Sequence, residues 1–239
     1  MFFAIFLNIV KMDIIKKKEM IYMDVAKKVR NEIKKYDYCE PIFVNEIIVA
    51  PNRTNARNIA FHRLEKDGII QKYRKGIYYK EKRTRFGVIG IDKSKIAEKK
   101  YILSNNKLIG YITGPTLWNY YGVSTQIANK KWIVTNAVKR NAEDSNLNIK
   151  LIKPKIKVTD ENYKLLQILD MIDQRKLIQD IDITKYKNVL RKQINNMSHN
   201  EINNILELSK YYKKDVNTEI INIINKENKT VAKYEASCG

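Results

Sequence analysis

The sequence predicts an α+β fold, and three observations carry that expectation. The first eighty or so residues read as helix, helix, helix and hairpin; the middle of the chain holds short strand-like runs; beyond Thr159 the apolar spacing turns helical and stays so. Each element has a local reason. Tyr22, Val25, Val29, Ile33 and Tyr36 recur at three or four residues, one face of a first helix, with Asp24 as its start signal. Pro41 to Val49, PIFVNEIIV, predicts a short second helix, and PNRTN at Pro51 to Asn55 predicts a tight turn leading into a Thr or Asn cap.

A third helix is expected from Asn55 to Asp67, stopping at Gly68, the residue type that tolerates the left-handed position after a helix. The runs IIQKY and GIYYKEK, separated by Arg74, Lys75 and Gly76, predict a hairpin. This order is that of a winged helix-turn-helix, expected over residues 23–82. Residues 83–196 predict an α/β domain. Its strands are expected at Phe86–Ile91, Leu108–Thr113, Lys131–Thr135 and Ile149–Ile156, with a helix on GPTLWNYYG and later helices over Asp160–Asp173 and Lys185–Asn196. A helical extension and tail fill residues 197–239: helices over Glu201–Tyr212 and Val216–Asn225, Ser198 and Glu201 spaced as a capping box, and a polar stretch from Lys226 expected to fray.

A hydrophobic content of 44% supplies enough apolar surface to offset the entropy of ordering a core. The formal charge of +20 points to a polyanion partner, or else to a compositional bias towards Lys and Asn. Cys39 and Cys238 share no ligand spacing, so neither a disulfide framework nor a zinc site is implied, and a reducing cytoplasm fits. The opening MFFAIFLNIV lacks a basic lead and a cleavage site and is too short to span a bilayer, so no membrane association is expected. Residues 1–22 read as a poorly defined extension, with Met12, Met20 and Met23 as alternative starts.

The charge is clustered. From Arg53 to Arg85 eleven cations stand against three acids, a surplus of eight, where an even spread over the chain would leave about three. Turning 100 degrees per residue from Leu64, the third helix places Ala60 and Phe61 inward with Leu64, and Asn55, Ile59, His62 and Lys66 outward, with Asn58 beside them and Arg63 at the edge. Asn can bond adenine in bidentate fashion, His and Lys can donate to bases or phosphates, and Ile suits a thymine methyl. Arg53 before the helix, Lys72, and Arg74 and Lys75 at the hairpin tip can reach phosphates. The expected DNA-binding residues are therefore Arg53, Asn55, Asn58, Ile59, His62, Arg63, Lys66, Lys72, Arg74 and Lys75. A helix-hairpin unit with exposed cations can also serve protein contacts.

Three stretches together carry a resemblance. LEKDG ends the third helix, GIYY lies in the hairpin, and GYITGPTLWNYYGVSTQ follows about forty residues later, with Thr113, Gly114, Asn119, Gly122, Ser124, Thr125 and Gln126 in a TGxxxxNxxGVSTQ pattern. Over about Met23 to Asn196 the chain resembles the AbiEi family of type IV toxin-antitoxin antitoxins and related transcriptional regulators. The resemblance implies a winged helix that binds inverted repeats in its own promoter, and a following domain with antitoxin activity. The partner it implies is an operon-encoded nucleotidyltransferase toxin, countered without a stable complex, although stand-alone regulators look similar.

Enzyme readings find little footing. His62 and His199 are the sole histidines and neither sits in an interpretable nucleophile motif. Asp180 and Asp182, in QDIDIT, would share one face of a strand and could hold magnesium, but no Gly-Ser pair exists to hold nucleotide phosphates, and no GxxxxGK or GxGxxG pattern occurs. The role these aspartates suit is a loop between helices, with Asp182 or Thr184 capping the next one. The stripe Ile202, Ile205, Leu206, Leu208 and Tyr212 suits core packing or a partner groove. The expectation is a cytoplasmic, non-enzymatic protein with no cofactor and no metal.

Overall fold

The computed structural model describes residues 22–104 and 107–237, with side chains described as far as residue 225. The expectations for residues 1–21 and for Cys238 lie outside the described residues. The architecture is α+β, and the chain divides into two compact units, one ending at Ile96 and the other beginning at Ala97. The division falls later than the expected boundary after Lys82. Among the described residues no helix is long and apolar enough to cross a membrane.

The first unit opens with helix α1, residues 22–34, which buries Val25, Val29 and Ile33. Asp24 lies inside this helix. The expected second helix is not there: Pro41 and the left-handed Cys39 before it (φ 66°) set an extended entry, and Ile42–Phe43 form strand β1. Only a single 3-10 turn follows, Val44–Glu46. Pairing explains the change, since β1 satisfies its backbone against the later hairpin, with Ile42 opposite Tyr78 and Phe43 opposite Ile77.

Helix α2, Thr54–Lys66, enters from a 3-10 turn at Pro51–Arg53. The expected Thr or Asn cap is absent, because Thr54 is already helical and its hydroxyl donates to the Pro51 carbonyl at 3.2 Å. The helix stops where expected, with Gly68 left-handed at φ 71°. Strands β2, Gln71–Arg74, and β3, Ile77–Tyr79, form the expected hairpin, closed by Lys75 and Gly76. The sheet order is β1-β3-β2. Ala60, Phe61 and Leu64 of α2 join Val29, Ile33, Ile42, Ile70 and Tyr78 in one core. A second hairpin, β4 (Lys82–Thr84) and β5 (Gly87–Ile89), pairs only with itself, and helix α3, Lys93–Ala97, runs across the division in the chain between the two units.

In the second unit a π-helical turn at Glu98–Ile102 leads to β6, Leu103–Ser104, which pairs with β7, Lys107–Leu108. The main sheet contains β8 (Gly110–Thr113), β9 (Lys131–Thr135), β10 (Ala142–Asp144) and β11 (Ile149–Ile152) in the order β10-β11-β9-β8. Its β9–β11 pair is parallel and the other pairs are antiparallel. Helix α4, Pro115–Tyr120, lies between β8 and β9. Four helices follow: α5 (Tyr163–Asp173), α6 (Ile183–Asn195), α7 (His199–Ser209) and α8 (Lys214–Ser237). The backbone is thus helical through the stretch expected to fray. The capping box at Ser198 and Glu201 is formed, and Asp182 caps α6 by accepting from the Lys185 amide at 2.9 Å. Residues 197–225 are not a separate appendage here, because Ile205, Val216 and Ile220 share a core with Trp118, Leu166 and Leu169.

The TGxxxxNxxGVSTQ block builds this core's rim. Gly114 (φ 66°) packs its bare Cα against the Trp132 ring, where a Cβ would collide. Asn119 donates through Nδ2 to the Gln126 carbonyl at 2.8 Å, and the Ser124 hydroxyl accepts from the Gln126 amide at 3.0 Å. These residues hold a loop; none of these contacts presents a reactive group.

One buried carboxyl ties α5 to its neighbours. Asp170 accepts from the Tyr111 hydroxyl at 3.0 Å and the Tyr212 hydroxyl at 2.9 Å. Burial pushes its carboxyl up to about 6, against the pull of those two hydroxyls, and burial likewise raises both tyrosines. Between about pH 4 and 6 the folded state then holds a proton on Asp170 that the unfolded chain, titrating near 3.9, has lost. The stability this group contributes is complete below about pH 4 and falls as pH rises through about 6. Unfolding of this unit can be followed by Trp118 and Trp132, the chain's two tryptophans. Asp170→Asn is expected to flatten the wild-type loss of stability, roughly 2–3 kcal/mol between pH 4 and 7. An unchanged pH profile in the variant would refute the assignment.

Candidate nucleic-acid interface

The amphipathic spacing of α2 sorts its side chains as helix geometry requires. Ala60, Phe61 and Leu64 are buried, while Asn55, Asn58, Ile59, His62, Arg63 and Lys66 are exposed along the opposite side. Ile59 keeps 40% of its surface in solvent. The outward face is therefore amide, apolar, imidazole and cation. His62 Nδ1 lies 3.4 Å from Glu65 Oε2 on the same helix. The Arg63 guanidinium sits 4.4 Å from the centroid of the Tyr22 ring, so a cation–π contact with α1 holds it.

The remaining expected residues divide in two. Arg53 is drawn back to α1, its Nη1 2.8 Å from Asp24 Oδ2, and Arg74 belongs to β2, half-buried with its guanidinium 5.7 Å from the Tyr73 ring centroid. Arg74 was expected in the turn; a register shift between Lys72 and Arg74 turns it inward instead. Lys66, Lys72 and Lys75 are exposed, and their side chains have no ion-pair or hydrogen-bond partner among the described residues. Lys75 stands at the hairpin tip beside Gly76 (φ 78°), and the Gly76 carbonyl accepts from the Val44 amide at 3.0 Å, which pins that tip to the turn after β1.

The acids of the segment are spent. Asp67 lies 3.9 Å from Arg30, Glu81 is 2.9 Å from Arg83, and Glu65 faces His62. What projects from this unit is thus a cationic surface with an Asn-rich helix on it. Sequence reasoning missed the β4–β5 hairpin, whose Lys82, Arg83 and Arg85 are also exposed; the alternation in its second strand was visible, but its partner strand, KRT, carries no apolar pattern.

Other chemistry is sparse. Asp180 and Asp182 lie in a loop rather than on a strand, and Asp182 is occupied as a cap. Among the described residues no group of three or more His, Cys, Asp or Glu could hold a metal ion. His199 is exposed in the first turn of α7.

No curated protein matches this chain. A family model, described as "Family of unknown function (DUF6088)", matches residues 28–206, a span that reaches from α1 into α7 and so takes in most of both units. The chain belongs to the DUF6088 family.

Proposed function

We propose that this protein is a DNA-binding transcriptional regulator that docks helix α2 in the major groove of duplex DNA, with the β2–β3 hairpin beside it on the backbone. One observation carries the reading: the exposed side of α2 presents Asn55, Asn58, Ile59, His62 and Lys66 together, on a segment whose charge surplus is eight. Amides and an apolar side chain at a helix face read base edges, and surrounding cations release counterions from phosphates. The order of helix, short strand, turn, helix and hairpin suits a winged helix-turn-helix in which a 3-10 turn replaces the second helix.

The TGxxxxNxxGVSTQ resemblance extends the reading to an antitoxin that represses its own promoter and counters a nucleotidyltransferase toxin from the same operon. Fluorescence anisotropy on the duplex upstream of its own gene and on a shuffled duplex, each at low and near-physiological salt, tests the first part. Tighter, salt-sensitive binding to the native duplex is expected; equal binding to both would reduce the reading to generic polyanion affinity. Co-expression with a neighbouring nucleotidyltransferase gene tests the second, and growth arrest that this chain fails to relieve would refute it.

A further inference from the structure

The β4–β5 hairpin is a cationic ribbon with an apolar tip. Lys82, Arg83 and Arg85 are exposed, and Phe86, at the turn, is 86% exposed; Val88 and Ile89 of β5 are exposed too. The turn is rigid. The Thr84 hydroxyl donates to the Gly87 carbonyl at 2.9 Å and accepts from the Phe86 amide at 3.2 Å, while Gly87 takes φ 119°, so Phe86 is held outward. The Arg85 guanidinium lies 4.7 Å from the Phe86 ring centroid.

The base of the hairpin is clamped as well. The Cys39 amide donates to the Lys80 carbonyl at 2.8 Å, the Cys39 carbonyl accepts from the Asp92 amide at 2.8 Å, and the Cys39 thiol lies 3.4 Å from the Ile89 carbonyl. A cleft of about 600 Å3, lined by Tyr38, Ile69, Gln71 and Arg83, separates this base from the end of α2 and the start of β2. The first unit therefore carries two prongs, one tipped by Lys75 and the other by Arg85 and Phe86.

An exposed phenylalanine flanked by arginines on a ribbon is the chemistry of a minor-groove wedge, in which the ring enters a base step and the guanidinium groups engage the backbone or groove floor. Charge selects this occupant over a second copy of the chain, because two such hairpins meeting across a symmetry axis would bring like charges together. We infer that the β4–β5 hairpin is a second DNA contact, placing Phe86 in the minor groove next to the site read by α2, with Arg83 and Arg85 on the flanking phosphates. The inference rests on the duplex-binding reading above.

The test uses the full chain, as wild type, Phe86→Ala and the double variant Arg83→Ala with Arg85→Ala, on the duplex upstream of its own gene carrying a fluorophore at each end. Anisotropy reads affinity and energy transfer between the ends reads bending. Phe86→Ala should bind about tenfold more weakly and lose the bend while keeping the salt dependence. The arginine variant should lower the slope of log affinity against log salt by about 2. Thermal unfolding should be nearly unchanged in both, since the side chains are exposed and the Arg83–Glu81 pair, open to solvent on the arginine side, contributes little to stability. Wild-type binding with a Phe86→Ala variant of equal affinity and equal bend overturns the inference and leaves the α2 reading standing. A variant unchanged on DNA that shifts the sedimenting species from dimer to monomer also overturns it, in favour of an interface between copies. Failure of the wild type to bind any duplex overturns both readings together.

Discussion

Replacing Lys66, Lys72 and Lys75 together with alanine is expected to remove most of this chain's affinity for duplex DNA while leaving its stability unchanged. All three are exposed and lack partners among the described residues, so their removal breaks no internal contact. Each phosphate contact contributes about 0.9 to the slope of log affinity against log salt, so the triple variant should be shallower by about 2.7. Over a rise from about 50 to 200 mM salt it should then lose roughly fortyfold less affinity than the wild type. An anisotropy titration at several salt concentrations measures the slope directly, and equal slopes would remove these lysines from the interface. Arg63 and Arg74 are poorer choices for the same test. Arg63 stacks on Tyr22 and Arg74 is half-buried beside Tyr73, so truncating either mixes lost packing with lost charge.

Gly110→Ala is expected to unfold the second unit or bring it close to unfolding. Gly110 begins β8 opposite Thr135 of β9, and a Cβ there would drive into the carbonyl oxygens of Tyr101 and Val134 and against Thr135 Cβ. Two of those three atoms are backbone, one in the π-helical turn and one in β9, so no side-chain rotation can relieve the clash. A cost of about 3 kcal/mol or more is a large fraction of a typical domain stability of about 5–15 kcal/mol. Urea unfolding followed by the fluorescence of Trp118 and Trp132, both in this unit, should show a strongly lowered midpoint. Gly90→Ala, in the first unit and with nothing within 4 Å of a Cβ, should leave this second-unit probe unchanged, which checks that a Gly→Ala exchange as such does not move the midpoint. An unshifted midpoint for Gly110→Ala would mean that the β8 strand can move away from Tyr101 at little cost.

Local periodicity and capping chemistry were legible from residue order alone. The inward and outward sides of α2, the stop at Gly68, the Pro115 start and Gly122 end of α4, the Ser198 capping box and the Asp182 cap all depend on contacts within a few residues, so one sequence contains all the information they need. The same is true of the cationic clustering, which needs only counting. What the residue order could not decide is pairing over distance. Pro41 to Val49 has helical spacing, yet it becomes strand β1 because β3, more than thirty residues later, offers it hydrogen-bond partners. AED at Ala142–Asp144 has no strand pattern and is a strand only because β11 lies beside it.

The candidate site followed the same division. Which residues of α2 face outward was a matter of angle, and the sequence by itself determined it. Which cations remain available was tertiary: Asp24 claims Arg53, Tyr22 holds Arg63, and a shift in strand register turns Arg74 inward, leaving Lys66, Lys72 and Lys75 to project. The raised proton affinity of Asp170 was likewise invisible in the chain, where it is one more acid in a helix. Tyr111 from β8 and Tyr212 from beyond α7 come to it only when the second unit closes, and burial then raises its affinity for a proton. Helix faces and caps are set by neighbours along the chain, whereas ion pairs, strand partners and buried acids are set by neighbours in space.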